Sequence, residues 1–260
     1  AYEIRPRDWS SDVCSSDLTG RDAPMLAEIA RRTGLHVVAP TGIHHLRHYG
    51  PRHWTERLPI DEIAALFIGE IEVGIDRWDL GAPVVHPTPH RAGVIKVAGS
   101  AGGPSPRDAR IFEAAAIAQA RTGCPILTHC EHGTGGLEQV ALLERHGARA
   151  AGIALSHVDK VVDRGYQWEL LATGATLEYD QSFRWGEAEN GTLRLLEWAA
   201  EDGRLGQVVL GMDAARRGYW AVHGGTPGMA WLLDGFSARM RAIGLDRKST
   251  RLNSSHVALS

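Results

Sequence analysis

The sequence predicts an α/β fold, a (β/α)8 TIM barrel present as a truncated fragment that lacks its first two strands. Three observations carry this reading. Six short apolar runs are each followed by a segment of helical period, as in sheets of parallel strands buried on both faces. No run is followed by GxGxxG or GxxxxGK[ST], so a doubly wound nucleotide-binding sheet lacks its fingerprint. A complete barrel takes about 250 residues, and six units fit a piece somewhat shorter than that.

The elements follow in order. Helix is expected over 22–33 (DAPMLAEIARRT), with Asp22 as N-cap, Pro24 early and Gly34 as stop. The apolar run 35–42 (LHVVAPTG) reads as a strand, and 60–75 has apolar residues at helical spacing. Strand 92–99 (AGVIKVAG) precedes helix 106–123, which Gly123 closes. Strand 124–130 (CPILTHC) precedes helix 136–148, and strand 152–159 (GIALSHVD) precedes helix 166–174. Strand 175–180 (ATLEYD) precedes helix 191–203, and strand 207–213 (QVVLGMD) precedes the last helix, 228–244.

The two ends read differently. Residues 8–18 (DWSSDVCSSDL) and 246–256 (DRKSTRLNSSH) match translations of the two strands of a common sequencing adapter. Residues 1–18 and 246–260 are therefore set apart from fold reasoning. This leaves 19–245 as one unit, a partial barrel.

Composition narrows the function. The 260 residues are 43% hydrophobic and 23% charged with net charge −3, so no basic field favours nucleic acid. No apolar run is long enough to span a membrane. Three cysteines do not make a disulfide framework. Cytoplasm is the default compartment.

Chemically capable residues recur at strand ends: Lys96 in VIKVA, His129 in ILTHC, His157 in IALSH and Asp213 closing VVLGMD. In a barrel these ends share one mouth, where barrel enzymes place their sites. Singly, each has an ordinary explanation: a core histidine, a snorkelling lysine, a helix-capping aspartate. Four at equivalent strand ends point to a site. Two imidazoles and a carboxylate suit a zinc-like divalent ion. A lysine whose pKa is lowered can take up carbon dioxide and become an anionic carbamate that bridges two ions.

The order VIKVA, THC, SHVD, GMD resembles the phosphotriesterase family of the amidohydrolase superfamily. Arg21-Asp22, VVAPTG (37–42), TGCPILTH (122–129), GLEQ (136–139) and GGTPG (224–228) belong to the same likeness, which covers essentially all of 19–245. The resemblance implies a distorted barrel with two divalent metal ions, zinc foremost, and a metal-bridging hydroxide as nucleophile. Lys96 matches the carboxylated bridging lysine. His129 and His157 match the histidines of the more exposed metal. Asp213 matches the buried metal's aspartate, which also handles the proton. The family's His-x-His of the first strand has no counterpart here, and His44-His45 after a later strand is not a substitute.

Family members hydrolyse phosphotriesters, lactones and phosphorylated sugar lactones, so the implied partner is a small lactone or phosphoester. Homodimers are common among relatives. Arg216, Arg217 and Tyr219 follow Asp213 by three, four and six residues. With Arg184 they resemble the phosphate-holding set of the phosphorylated sugar lactonases, and only one of Arg216 and Arg217 is expected to point inward. Trp185 and Trp220 are candidates for an apolar wall. Asp159, two residues past His157, is read as either orienting a ligand or capping a helix. Cys130 is excluded as a nucleophile because strand alternation turns it away from His129. The rival readings are a non-catalytic barrel that binds an anionic metabolite, and a truncated chain with no activity of its own.

Overall fold

A computed structural model describes residues 21–45, 48–49, 53–186 and 189–245. The segments read as adapter translation lie outside the described residues. Six strands form one parallel sheet in sequential order: β1 (Pro40–Ile43), β2 (Val94–Gly99), β3 (Ile126–Cys130), β4 (Ile153–Ser156), β5 (Thr176–Tyr179) and β6 (Val208–Leu210). Each neighbouring pair is parallel, so every connection crosses over through a helix. These are six consecutive β/α units of a (β/α)8 barrel. Among the described residues, β1 and β6 are the two edges of the sheet.

The helices are α1 (Ala23–Thr33), α2 (Ile60–Glu72), α3 (Pro106–Thr122), α4 (Gly136–Arg145), α5 (Arg164–Ala172), α6 (Gly191–Glu201) and α7 (Ser237–Ala242). Local signals explain their ends. The Asp22 side chain accepts from the Met25 N–H, and Gly34 closes α1 in the left-handed region at φ 72°. Ser105 and Asp108 form a reciprocal capping box on α3. Phe67, Ile95, Phe112, Ile126, Leu155 and Leu177 are fully buried in the layer between helices and sheet.

Two elements differ from expectation. The first strand begins at Pro40 rather than Leu35, because its partner β2 starts at Val94 and the register opens at Pro40↔Val94. The last helix is interrupted: residues Leu232–Phe236 form a π turn, closed by the Phe236 N–H on the Trp231 carbonyl, before α7 begins.

Gly42 lets β1 and β2 approach beside the site. Its φ is 114°, and a Cβ there would overlap the Lys96 carbonyl oxygen. Gly42→Ala is therefore expected to cost at least about 2 kcal/mol, from a conformation closed to side chains plus the clash. Urea denaturation checks this, and a loss below about 0.5 kcal/mol would refute the close approach.

Inside the sheet, Val38, Val94, Leu127, Ala154, Thr176 and Glu178 are among the residues around a cavity of about 210 Å³. It lies in the lumen beneath the strand ends, and of the polar groups near the mouth only Glu178 reaches it.

Candidate active site

Strand register builds the site. One row of partnered residues runs Gly42, Lys96, Leu127, Ala154, Thr176. The next row towards the C-terminal ends runs Ala98, His129, Ser156, Glu178, Val209. Alternation places both rows on the lumen face. His157 follows Ser156 and would point outward by alternation, but a left-handed φ of 68° turns it back. Its ring lies 4.6 Å from that of His129, edge to face. Asp213, past β6, also has positive φ, at 43°. Such backbone in non-glycine residues concentrates at functional sites.

Each histidine is backed by a carboxylate. His129 Nε2 lies 2.8 Å from Glu131 Oε2, and its buried Nδ1 has no hydrogen-bond partner. His157 Nδ1 lies 2.6 Å from Asp180 Oδ2, outside hydrogen-bonding angle. Burial pushes both imidazoles down to about 3, so both are neutral at pH 7, the form that ligates a cation. Lys96 is 2% exposed in mid-strand. Its charge bears on His129 and His157, lowering both, and on Glu178 and Asp180, stabilising their anions. Burial raises the Glu178 and Asp180 carboxyls, and Glu178 accepts from Ser156 Oγ at 2.6 Å.

The structure thus brings Lys96, His129, His157 and Asp213 to one mouth. Among the described residues, no three His, Cys, Asp or Glu side chains already converge as they lie. The donor set nevertheless fits a divalent cation. A buried imidazole nitrogen with no hydrogen-bond partner, as at His129 Nδ1, is costly unless something binds it. Carboxylate-backed histidines are the usual outer shell of a metal ligand. The sequence holds no His-x-His for a second ion.

Arg184 reaches across to the loop after β6. Its guanidinium donates to Asp213 Oδ2 at 2.7 Å, to the Asp213 carbonyl at 2.8 Å and to Gln181 Oε1 at 2.8 Å. It also lies over the rings of Phe183 and Tyr219. Arg184 therefore holds the aspartate. Of the other two arginines, Arg216 is partly buried and Arg217 is exposed, and the Tyr219 ring packs edge-on against Phe183. Trp185 and Trp220 are tied by their indole N–H groups to Thr192 and to the Ala214 carbonyl.

Asp159 is fully buried. It accepts from the Asp180 and Gln181 backbone N–H groups and from Thr192 Oγ, which fixes the loop that presents Asp180. Burial and the neighbouring Asp180 push it up to about 7. Cys130 packs in the core, and burial raises its thiol to about 12. It is expected to resist iodoacetamide at pH 8 in the native chain and to react only after denaturation. Peptide mapping reads this, and native labelling of Cys130 would contradict the packing.

Sequence reasoning missed Glu131, Asp180 and Lys160, and it set His44 aside with its neighbour His45. Asp180 ends LEYD as Asp213 ends GMD, so the strand-end rule could have found it. His44 is the next lumen-side position after Gly42, and it is 2% exposed with its ring 5.6 Å from that of His129. Burial, then His129 and Lys96, hold its imidazole well below the ordinary value. Lys160 adds positive charge beside His157 and Asp180.

Residues 12–252 match the model of the Phosphotriesterase family. The chain belongs to the phosphotriesterase family. It is 32% identical over 233 residues to the phosphotriesterase homology protein of Escherichia coli K12, covering 88% of this chain and 74% of that one. It is 30% identical over 241 residues to a phospho-furanose lactonase of Mycoplasmopsis synoviae, covering 88% and 68%. The crystal structure of the E. coli protein, complexed with phosphate in its active site, superposes with TM-score 0.79 at 30% identity over 89% of this chain and 76% of that one. An amidohydrolase from Mycoplasma synoviae superposes with TM-score 0.82 at 28% identity over 92% and 72%. As a family member the chain is a hydrolase of the phosphotriesterase and lactonase kind. Among the described residues no helix is long and apolar enough to cross a membrane.

Proposed function

We propose that this chain is a metal-dependent hydrolase of lactones, phosphorylated sugar lactones foremost. One observation carries the reading: two buried, neutral, carboxylate-backed histidines stand side by side with Lys96 and Asp213 at one mouth. The relative named a phospho-furanose lactonase and the E. coli structure with phosphate in its active site support the substrate class.

His129, His157, Asp213 and a carboxylated Lys96 are the groups to hold divalent metal, with zinc suited to the imidazoles. When bound, such ions supply Lewis acidity toward the carbonyl or phosphoryl oxygen and lower the pKa of water. Asp213 takes up the proton of the attacking water on a carboxylate oxygen and relays it to the leaving group. Arg184 holds that carboxylate in place. Glu131 and Asp180 orient the two imidazoles. In this reading Arg216 and Tyr219, with Arg184 as a further candidate, bind the distal anionic group of the substrate. The lumen cavity is not part of this site.

The experiment compares a phosphorylated and an unphosphorylated γ-lactone, with the chain loaded with zinc or stripped by chelator, using a pH-indicator assay. Hydrolysis only in the loaded chain supports the reading. Arg216→Met should raise KM for the phosphorylated lactone by at least about tenfold and leave the other unchanged, as loss of one charge-assisted contact predicts. Arg184→Met should lower kcat for both lactones alike. The competing reading is a barrel that binds anionic metabolites without turnover. Saturable binding of the phosphorylated lactone with no hydrolysis in the zinc-loaded chain would establish that alternative.

A further inference from the structure

The most conspicuous group that this mechanism leaves unused is His44. It follows β1 at the lumen-side position after Gly42, the partner of Lys96. It is 2% exposed, and neither ring nitrogen has a hydrogen-bond partner. Nearby histidines at the rim differ: His45 Nε2 meets Ser100 Oγ at 3.0 Å, and His53 Nδ1 meets Thr55 Oγ1 at 2.9 Å. A buried imidazole with both nitrogens unused is costly unless a ligand takes one of them. The nearest such nitrogen is on a neighbour: His129 Nδ1 is also buried and without a partner. His44, with neither nitrogen bonded, and His129, with only Nδ1 unbonded, are in ring contact, and one shared ion would account for both.

We propose that His44 is a third imidazole ligand of the cation held by His129 and His157, which makes that position a three-histidine site. The inference rests on the metal-dependent reading above and adds a ligand to it. Ring spacing agrees with the chemistry. With zinc–nitrogen bonds of about 2.1 Å, the ring centroids of two tetrahedral ligands stand about 5 Å apart. The His44–His129 and His129–His157 centroids are 5.6 and 4.6 Å apart. The three rings do not yet converge on a point, so binding requires them to rotate on fixed backbones. Neutral imidazoles are the ligating form, and three of them with one open position make a familiar zinc arrangement. The histidine pair at 44–45 thus contributes its first member to the site, from a strand other than the one the family pattern uses.

The test is zinc competition against a chromophoric chelator, with the metal-stripped full chain. Wild type, His44→Phe, His44→Gln, His129→Ala and His45→Gln are compared, and circular dichroism monitors folding. The visible spectrum of the cobalt-substituted chain reports the number of nitrogen ligands. Both His44 variants and His129→Ala should weaken zinc by at least tenfold and change the cobalt bands, with His45→Gln within twofold of wild type. If His129→Ala weakens zinc and the folded His44 variants do not, the third ligand is refuted and the metal reading stands. If no variant changes affinity, or wild type binds no zinc, both fail. Should His44→Phe fail to fold, His44→Gln decides alone, since its shorter amide keeps polarity but offers no imidazole.

Discussion

Lys96→Ala is expected to lower the proposed lactone hydrolysis by about a thousandfold or more. The loss follows from the position of the side chain. Lys96 is buried in mid-strand, in the lumen row just below His129, with His157, Glu178 and Asp180 within electrostatic reach. As an ammonium it repels a divalent ion, and as a carbamate it binds one. Removing it would delete one anionic group that holds the ion, and with it Lewis-acid stabilisation that the bound ion would supply. Several kcal/mol of barrier at 1.36 kcal/mol per decade gives this magnitude. Carbon dioxide offers a second handle. Zinc reconstitution in medium freed of carbon dioxide should yield little activity, and bicarbonate should restore it in wild type but not in Lys96→Ala. Full activity without bicarbonate or carbon dioxide would leave the lysine unmodified and refute this role. Glu131→Gln and Asp180→Asn should each cost about 10- to 100-fold in metal affinity, as loss of the carboxylate behind a ligating histidine does.

Glu70→Ala destabilises the fold by about 3–5 kcal/mol, the loss expected when one member of a buried ion pair is removed. Glu70 is fully buried in α2. It accepts from both terminal nitrogens of Arg21, at 2.9 and 2.7 Å, from Thr41 Oγ1 at 2.5 Å and from the Asp76 backbone N–H at 2.8 Å. Four contacts from three chain segments meet on one carboxylate. The arginine is itself only 5% exposed, so removal of Glu70 strands much of a positive charge in the interior. At this chain length the melting temperature should fall on the order of 10 °C. Arg21→Met should cost a comparable amount, and the double variant should cost less than the sum of the two. Purely additive losses would mean that the pair is not coupled.

Much of the site was legible before any coordinates. Lys96, His129, His157 and Asp213 were visible because each closes or occupies an apolar run, and parallel strands bring such ends to one mouth. Cys130 was excluded from that mouth by alternation alone, and the structure packs it in the core. The loop residues were harder. Arg184 reads equally well as an anion ligand or as a counter-ion, because a guanidinium suits both and loop sequence carries no period. Its contact with Asp213 depends on how two loops twenty-nine residues apart are brought together. Asp159 illustrates the same limit: its neighbour in sequence is His157, but its partners are the backbone beyond β5 and Thr192 on α6.

The sequence by itself determined the strand and helix order, the capped ends of α1 and α3, the family and the four strand-end groups. Those features rest on local periodicity, capping chemistry and motif spacing, which a chain carries wherever it goes. Tertiary structure decided where β1 begins, since a ladder needs its partner. It decided which carboxylate backs each histidine, what Arg184 holds, and that His44 lies against His129. These are contacts across strands and loops, set by register, positive φ at His157 and Asp213, and the close approach at Gly42. No local pattern encodes them, because they exist only once the sheet has closed the distance.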